Sequence, residues 1–117
     1  MSSIEELIIY KSNFNLLYYT EMIVKKFPKV ENNFLVKDIR NICFENQKLI
    51  IRTYKEINKT KKLYYLNEID INLKMLKVMI RVSYKNKYIN PNNYGAWSRM
   101  ITNVNNLLYG WIKCLKQ

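Results

Sequence analysis

The sequence contains no histidine, only two cysteines, two glycines and two prolines, and no acidic residue after Asp70. Each shortage excludes something. Without histidine, the commonest general base and metal ligand is missing. A cysteine nucleophile would lack its imidazole partner. Cys43 and Cys114 lie far apart and outside any CxxC, so they cannot complete a four-coordinate zinc site. No GxGxxG or P-loop is present, nor the Glu-x-x-His pairs of a di-iron bundle. Catalysis, metal and cofactor are therefore not expected. The scarcity of glycine and proline leaves little punctuation for hairpins and points to long helices. No apolar run approaches the ~20 residues of a membrane span. Met1–Tyr10 carries acids where a signal peptide would carry a basic n-region, so a cytoplasmic protein is expected.

What is present is enough for one core. The 117 residues are 49% apolar, in the range of a single globular domain. The net charge of +11 is uneven: residues 1–70 hold twelve cations against nine acids, and residues 71–117 hold eight cations and no acid. Such a balance attracts phosphates, anionic membranes or acidic proteins. The richness in Lys, Asn, Ile and Tyr is also what an AT-rich genome would produce. That bias explains many lysines but explains the missing acids less well.

Four amphipathic segments follow one another. Helix 1 is predicted from Ser3, with Ser3 and Glu6 at capping-box spacing and Glu5 in the first turn. Its apolar rhythm is Leu7, Tyr10, Phe14, Leu17 and Val24, interrupted by Glu21. Lys25 and Lys26 suit the last turn, before Phe27-Pro28 breaks the run. Helix 2 is predicted directly after Pro28, with Phe34, Leu35, Ile39, Ile42, Cys43, Leu49, Ile50, Tyr54 and Ile57 as apolar positions. Asn46 and Thr53 fall where a strict stripe would place carbon. Asn58–Lys61 is a short connection, with Thr60 as N-cap of helix 3. Helix 3 has a core stripe of Leu63, Leu66, Ile69, Leu73, Leu76 and Ile80. Asn90-Pro91 reads as an N-cap followed by proline at the first helical position of helix 4. There Tyr94, Trp97, Ile101, Val104, Leu108, Trp111 and Leu115 form a seam at spacings of three and four. Gly95 lowers helix propensity, and Gly110 either permits close packing or ends the helix early. The fold class expected is all-α: residues 1–117 as one antiparallel, up-down-up-down four-helix bundle.

The candidate site follows from the charge. Lys74, Lys77, Arg81 and Lys85 form a basic stripe on helix 3, extended by Lys87. Lys48, Arg52 and Lys55 share a face of helix 2 and would assist. Tyr84 and Tyr88, among these cations, are candidates for stacking on unpaired bases. Trp97 and Trp111 sit on the helix 4 seam and belong to the core or a subunit interface. The function expected is non-catalytic binding of RNA or DNA. The alternative is an oligomeric helical scaffold joined to an acidic protein, and a basic surface on an anionic membrane is a weaker third. Wide apolar faces also predict self-association.

Three segments carry a resemblance: EMIVKKFPK at the first helix boundary, YLNEIDINLKMLKVMIRVSYKNKYI through helix 3, and the closing NNLLYGWIK. They resemble the bacterial four-helix-bundle family related to Avd, the accessory variability protein of diversity-generating retroelements. That family is also similar to proteins encoded by intervening sequences in bacterial large-subunit ribosomal RNA genes. The resemblance spans nearly the whole chain. It implies a homopentamer with a basic surface that binds nucleic acid and a reverse transcriptase, supporting mutagenic copying of template RNA. Tyr109-Gly110 stands where the family has Gly-Gly before the final tryptophan.

Overall fold

The computed structural model describes residues 4–117, apart from the side chains of Ile4 and Glu5. Four helices account for most of the described chain: α1 (Ile4–Ile23), α2 (Leu35–Lys55), α3 (Lys59–Lys85) and α4 (Pro91–Lys116). Its extents are 44 × 25 × 18 Å. The long axis matches the ~40 Å expected of α3 at the standard rise, so the helices lie lengthwise. Each packs on its chain neighbour, and α4 closes the ring against α1. Cross-helix contacts run in opposite order at every interface. Asn13 meets Gln47 and Glu21 meets Arg40, while Lys74 meets Asn105 and Tyr84 meets Tyr94. The bundle is antiparallel and up-down-up-down.

Helix 4 follows its predicted seam. Trp97, Ile101, Val104, Leu108 and Trp111 are buried, and Tyr94 and Leu115 pack half-buried at its ends. Asn90 caps the helix as expected, its side-chain oxygen accepting from the Asn93 N–H at 2.7 Å. Leu66, Ile69, Leu73, Leu76 and Ile80 of α3 meet this seam in the core. Asn46 and Thr53 are indeed buried: the Thr53 hydroxyl donates to the Leu49 carbonyl, and the Asn46 oxygen accepts from Asn72.

Several boundaries differ from expectation. A 3-10 turn over Lys29–Asn33 precedes α2, which starts only at Leu35. Asn58 rather than Thr60 caps α3, accepting from the Lys61 N–H at 2.9 Å, while Glu56 accepts from the Ile57 and Asn58 N–H groups. Asparagine outranks threonine at this position. Phe34, Tyr54 and Ile57, read as apolar stripe, are exposed. Ser3 of the predicted capping box lies outside the described residues. The largest correction is on α1. Its buried face is Glu6, Ile9, Asn13, Leu16, Leu17, Thr20 and Ile23, whereas Leu7, Tyr10 and Phe14 point outward. Both sides of α1 are apolar enough to mimic a core stripe, and the true one contains three polar residues.

Of these, Asn13 belongs to a ring of polar contacts at mid-bundle. Asn13 donates to Gln47 at 2.7 Å, Asn72 to Asn46 at 2.9 Å, and Asn103 to Ser12 at 3.0 Å. At the fourth interface Asn105 donates to Asp70 at 2.9 Å. Each of the four adjacent helix pairs is thus tied by a side-chain hydrogen bond at similar height. Sliding one helix by a ~5.4 Å turn would strand these groups, at about 1–3 kcal/mol for each buried one.

Candidate nucleic-acid interface

The helical repeat gives α3 three kinds of side. One is the core stripe; a second carries Lys74, Lys77, Arg81 and Lys85 toward α4; the third is exposed and apolar. Lys77 and Arg81 line an open groove with Tyr94 and Ser98 of α4. At the end of this groove the Tyr84 ring stacks on Tyr94, with centroids 4.4 Å apart and planes 6° from parallel. Beyond the stack a second recess is lined by Tyr84, Lys85, Lys87, Tyr88 and Asn90. The tyrosine pair therefore stands between two recesses, each with two cations on its wall. Among the described residues Lys77, Arg81, Lys85 and Lys87 form no ion pair. Their charge is left for solvent or a ligand.

Lys74 behaves differently. Its Nζ donates to Asp70 at 2.7 Å, to Asn105 at 2.8 Å and to the Tyr109 hydroxyl at 2.7 Å. Burial alone would raise the Asp70 pKa, but hydrogen bonds from Lys74, Asn105 and Tyr109 outweigh it and leave the carboxyl lowered. Burial likewise opposes the Lys74 charge, and Asp70 and Tyr109 reverse it, so its pKa is raised. An ammonium that spends three donors within its own fold is a structural tie between α3 and α4.

The helix 2 cations do not join this row. Arg52 sits over the Tyr65 ring at 5.8 Å, which fixes it beside the N-terminal half of α3. Sixteen residues separate Tyr65 from Arg81, about 24 Å along the helix, and α2 packs on the other flank from α4. Lys48 and Lys55 line a shallow surface with Arg52 there, and Glu56 borders it.

The aromatics divide. Trp97 and Trp111 are core: both are buried, and Trp97 Nε1 donates to the Thr20 hydroxyl at 3.0 Å. Tyr84 is exposed enough to offer a surface, and Tyr94 backs it. Tyr88 is occupied, since its ring packs on Phe27 at 5.3 Å and its hydroxyl donates to Glu31 at 2.7 Å, which raises its pKa. Sequence reading placed Tyr94 in the core seam only and missed its pairing with Tyr84. It also read Lys25 and Lys26 as helix-end charges and did not single out Lys29. The Tyr88 contacts bring the Lys25–Lys29 segment to the same end of the bundle as Lys85 and Lys87. No local signal marks either juxtaposition, because each joins segments far apart in the chain.

Among the described residues no group of three Cys, Asp or Glu could hold a metal ion. No described helix is long and apolar enough to cross a membrane. Burial pushes the Cys43 thiol up to about 11, far from a reactive thiolate. Compared with known proteins, residues 7–115 match the model of a family described as bAvd-like. No curated protein matches the chain.

Proposed function

Because the chain belongs to the bAvd-like family, we propose that it is a non-catalytic, nucleic-acid-binding accessory protein that assists a reverse transcriptase in copying template RNA. The observation that carries the binding part is the row of unpaired cations, Lys77, Arg81, Lys85 and Lys87, running beside the Tyr84–Tyr94 stack. Lysines meet phosphates as point charges and Arg81 as a fork, so contacts follow the backbone and read little sequence. A tyrosine face beside them accepts any base, worth roughly 1–3 kcal/mol per stacked base. The reverse transcriptase comes from the family relation.

Self-association belongs to the same reading. Leu7, Tyr10, Phe14, Tyr18 and Met22 form an exposed apolar line on α1, and Tyr64, Ile71, Met75, Val78 and Val82 form another on α3. The two helices are diagonal in the bundle, so the lines face different directions. A head-to-tail contact of the α1 line with the α3 line of the next copy would cover both. The family resemblance implies five copies. Repetition would present several cation rows to one strand and raise avidity.

The test is fluorescence anisotropy of labelled single strands across a salt series. Replacing Lys77, Arg81 and Lys85 by Gln is expected to leave helix content intact and weaken binding. The slope of log K against log salt should fall by about 0.7 per lost contact. Wild-type protein that binds no strand at low salt would reject the reading and favour an acidic protein partner.

A further inference from the structure

One end of the bundle carries a second concentration of positive charge. The α1–α2 connection supplies Lys25, Lys26 and Lys29, the last residue of α3 is Lys85, and the α3–α4 loop adds Lys87. Tyr88 clamps the two segments together through Phe27, at 5.3 Å between centroids, and Glu31, at 2.7 Å. All five lysines are exposed, and among the described residues none forms an ion pair. Of the carboxylates at this end, Glu21 is held bidentate by Arg40 at 2.6 and 2.8 Å, and Glu31 accepts from the Tyr88 hydroxyl inside the clamp, where it remains a single charge among five lysines. Asp38 lies beside Lys37 in the first turn of α2.

The backbone adds an independent observation. Lys87 has φ of 63°, in the left-handed region that favours glycine. It occupies the residue after the helix cap, where the Tyr88 N–H donates to the Ser83 carbonyl and the Lys87 N–H to the Tyr84 carbonyl, both at 2.9 Å. Glycine is the usual occupant of this motif. A lysine held there costs roughly 1 kcal/mol against glycine, and what it adds is a cation on a clamped loop. Strain of this kind clusters at functional sites.

We propose that this end, formed by Lys25, Lys26, Lys29 and Lys87, is a phosphate-binding surface that takes a single nucleic-acid strand as it leaves the α3–α4 groove. The proposal rests on the nucleic-acid reading and gives the strand a direction. Lys85 and Lys87 are common to both parts, because they line the recess beyond the tyrosine stack and border the lysine-rich end. A strand stacked at Tyr84 would carry its next phosphates over Lys87 toward Lys29 and Lys26. Duplexes, whose bases are already stacked, would gain the charge but not the tyrosine contact.

The experiment compares four proteins on labelled oligo(dT) and oligo(rU) of about 20 nucleotides, long enough to span both parts. These are wild type, the α3 variant (Lys77→Gln, Arg81→Gln, Lys85→Gln), the end variant (Lys25→Gln, Lys26→Gln, Lys29→Gln), and a control at the opposite end (Lys59→Gln, Lys61→Gln, Lys113→Gln). The end variant and the control lose the same charge. The end variant should lower the salt slope by about 1.4–2.1, two to three contacts at ~0.7 each, and weaken binding roughly five-fold per contact at 0.1 M salt. The control should lower it far less. Lys87→Gly, tested alone, should melt at a higher temperature than wild type yet lose about 0.7 of slope. If the α3 variant loses affinity while the end variant matches the control, the end surface is overturned and the groove stands. If Lys87→Gly keeps the full slope, Lys87 is not a contact and the path over this end is rejected. If wild type binds neither strand, the nucleic-acid reading falls with it. Equal affinity for the two oligomers assigns the site to the shared phosphate backbone; preference for oligo(rU) adds a 2′-hydroxyl contact.

Discussion

At the scale of single residues, the Asp70–Lys74 tie makes a prediction with a definite pH dependence. Asp70 is lowered, so the fold holds the carboxylate more favourably than the unfolded chain does. That stability is complete above the ordinary carboxylate pKa of about 4 and is lost as pH falls through the lowered folded value. Lys74 is raised, so its contribution is complete below the ordinary lysine pKa of about 10.4 and lost as pH rises through the raised one. Asp70→Asn should therefore destabilise by about 1 kcal/mol at neutral pH, a value kept small because the pair is partly exposed. Denaturant melts should show this gap narrowing below about pH 4. A gap that persists unchanged in acid would mean that Asp70 acts through shape rather than charge.

At the scale of elements, α4 carries a glycine whose role the fold narrows. Gly110 lies inside the helix, which runs on to Lys116, and a Cβ built there meets nothing within 4 Å. It neither ends the helix nor permits close approach within this chain. Gly110→Ala should therefore gain helix propensity of about 1 kcal/mol and raise the melting temperature by roughly 3–5 °C. Light scattering on the same variant decides what the glycine is for: a lowered mass would place Gly110 at a contact between copies. On α1 the lesson is about periodicity. Leu7, Tyr10 and Phe14 repeat as regularly as a core stripe, yet the packed face contains Asn13 and Thr20, both satisfied by hydrogen bonds. A three-four rhythm identifies a helix that buries something, and leaves open whether it is buried inside the chain or between chains.

At the scale of the whole molecule, the two exposed apolar lines predict an association of distinct faces. Phe14→Ser with Tyr18→Ser removes one face, and Ile71→Ser with Met75→Ser removes the other. Each double variant should keep its helical circular dichroism spectrum and fall to a lower mass by light scattering. Mixing the two should yield heterodimers, because each still offers the face its partner has lost. Dimers from one variant alone would show that a face pairs with itself, and an unchanged mass in both would place the interface elsewhere.

The sequence by itself determined the four helices, their antiparallel order and the identity of the α4 seam. Those rest on near-neighbour physics: side chains three and four residues apart share a face, and short connections turn the chain back. It also determined that residues 71–117 are basic and free of acid. Tertiary structure decided which of those cations are spent. Lys74 is consumed by Asp70 and residues of α4, Arg52 is set on the far flank of α3, and Lys25, Lys26 and Lys29 are brought to the end that holds Lys85 and Lys87. It also decided that Tyr84 meets Tyr94 while Tyr88 is committed to Phe27 and Glu31. Each of these depends on how two helices or loops are rotated about one another. Rotation is set by the packing of the whole core and its ring of asparagine contacts, which no local spacing records.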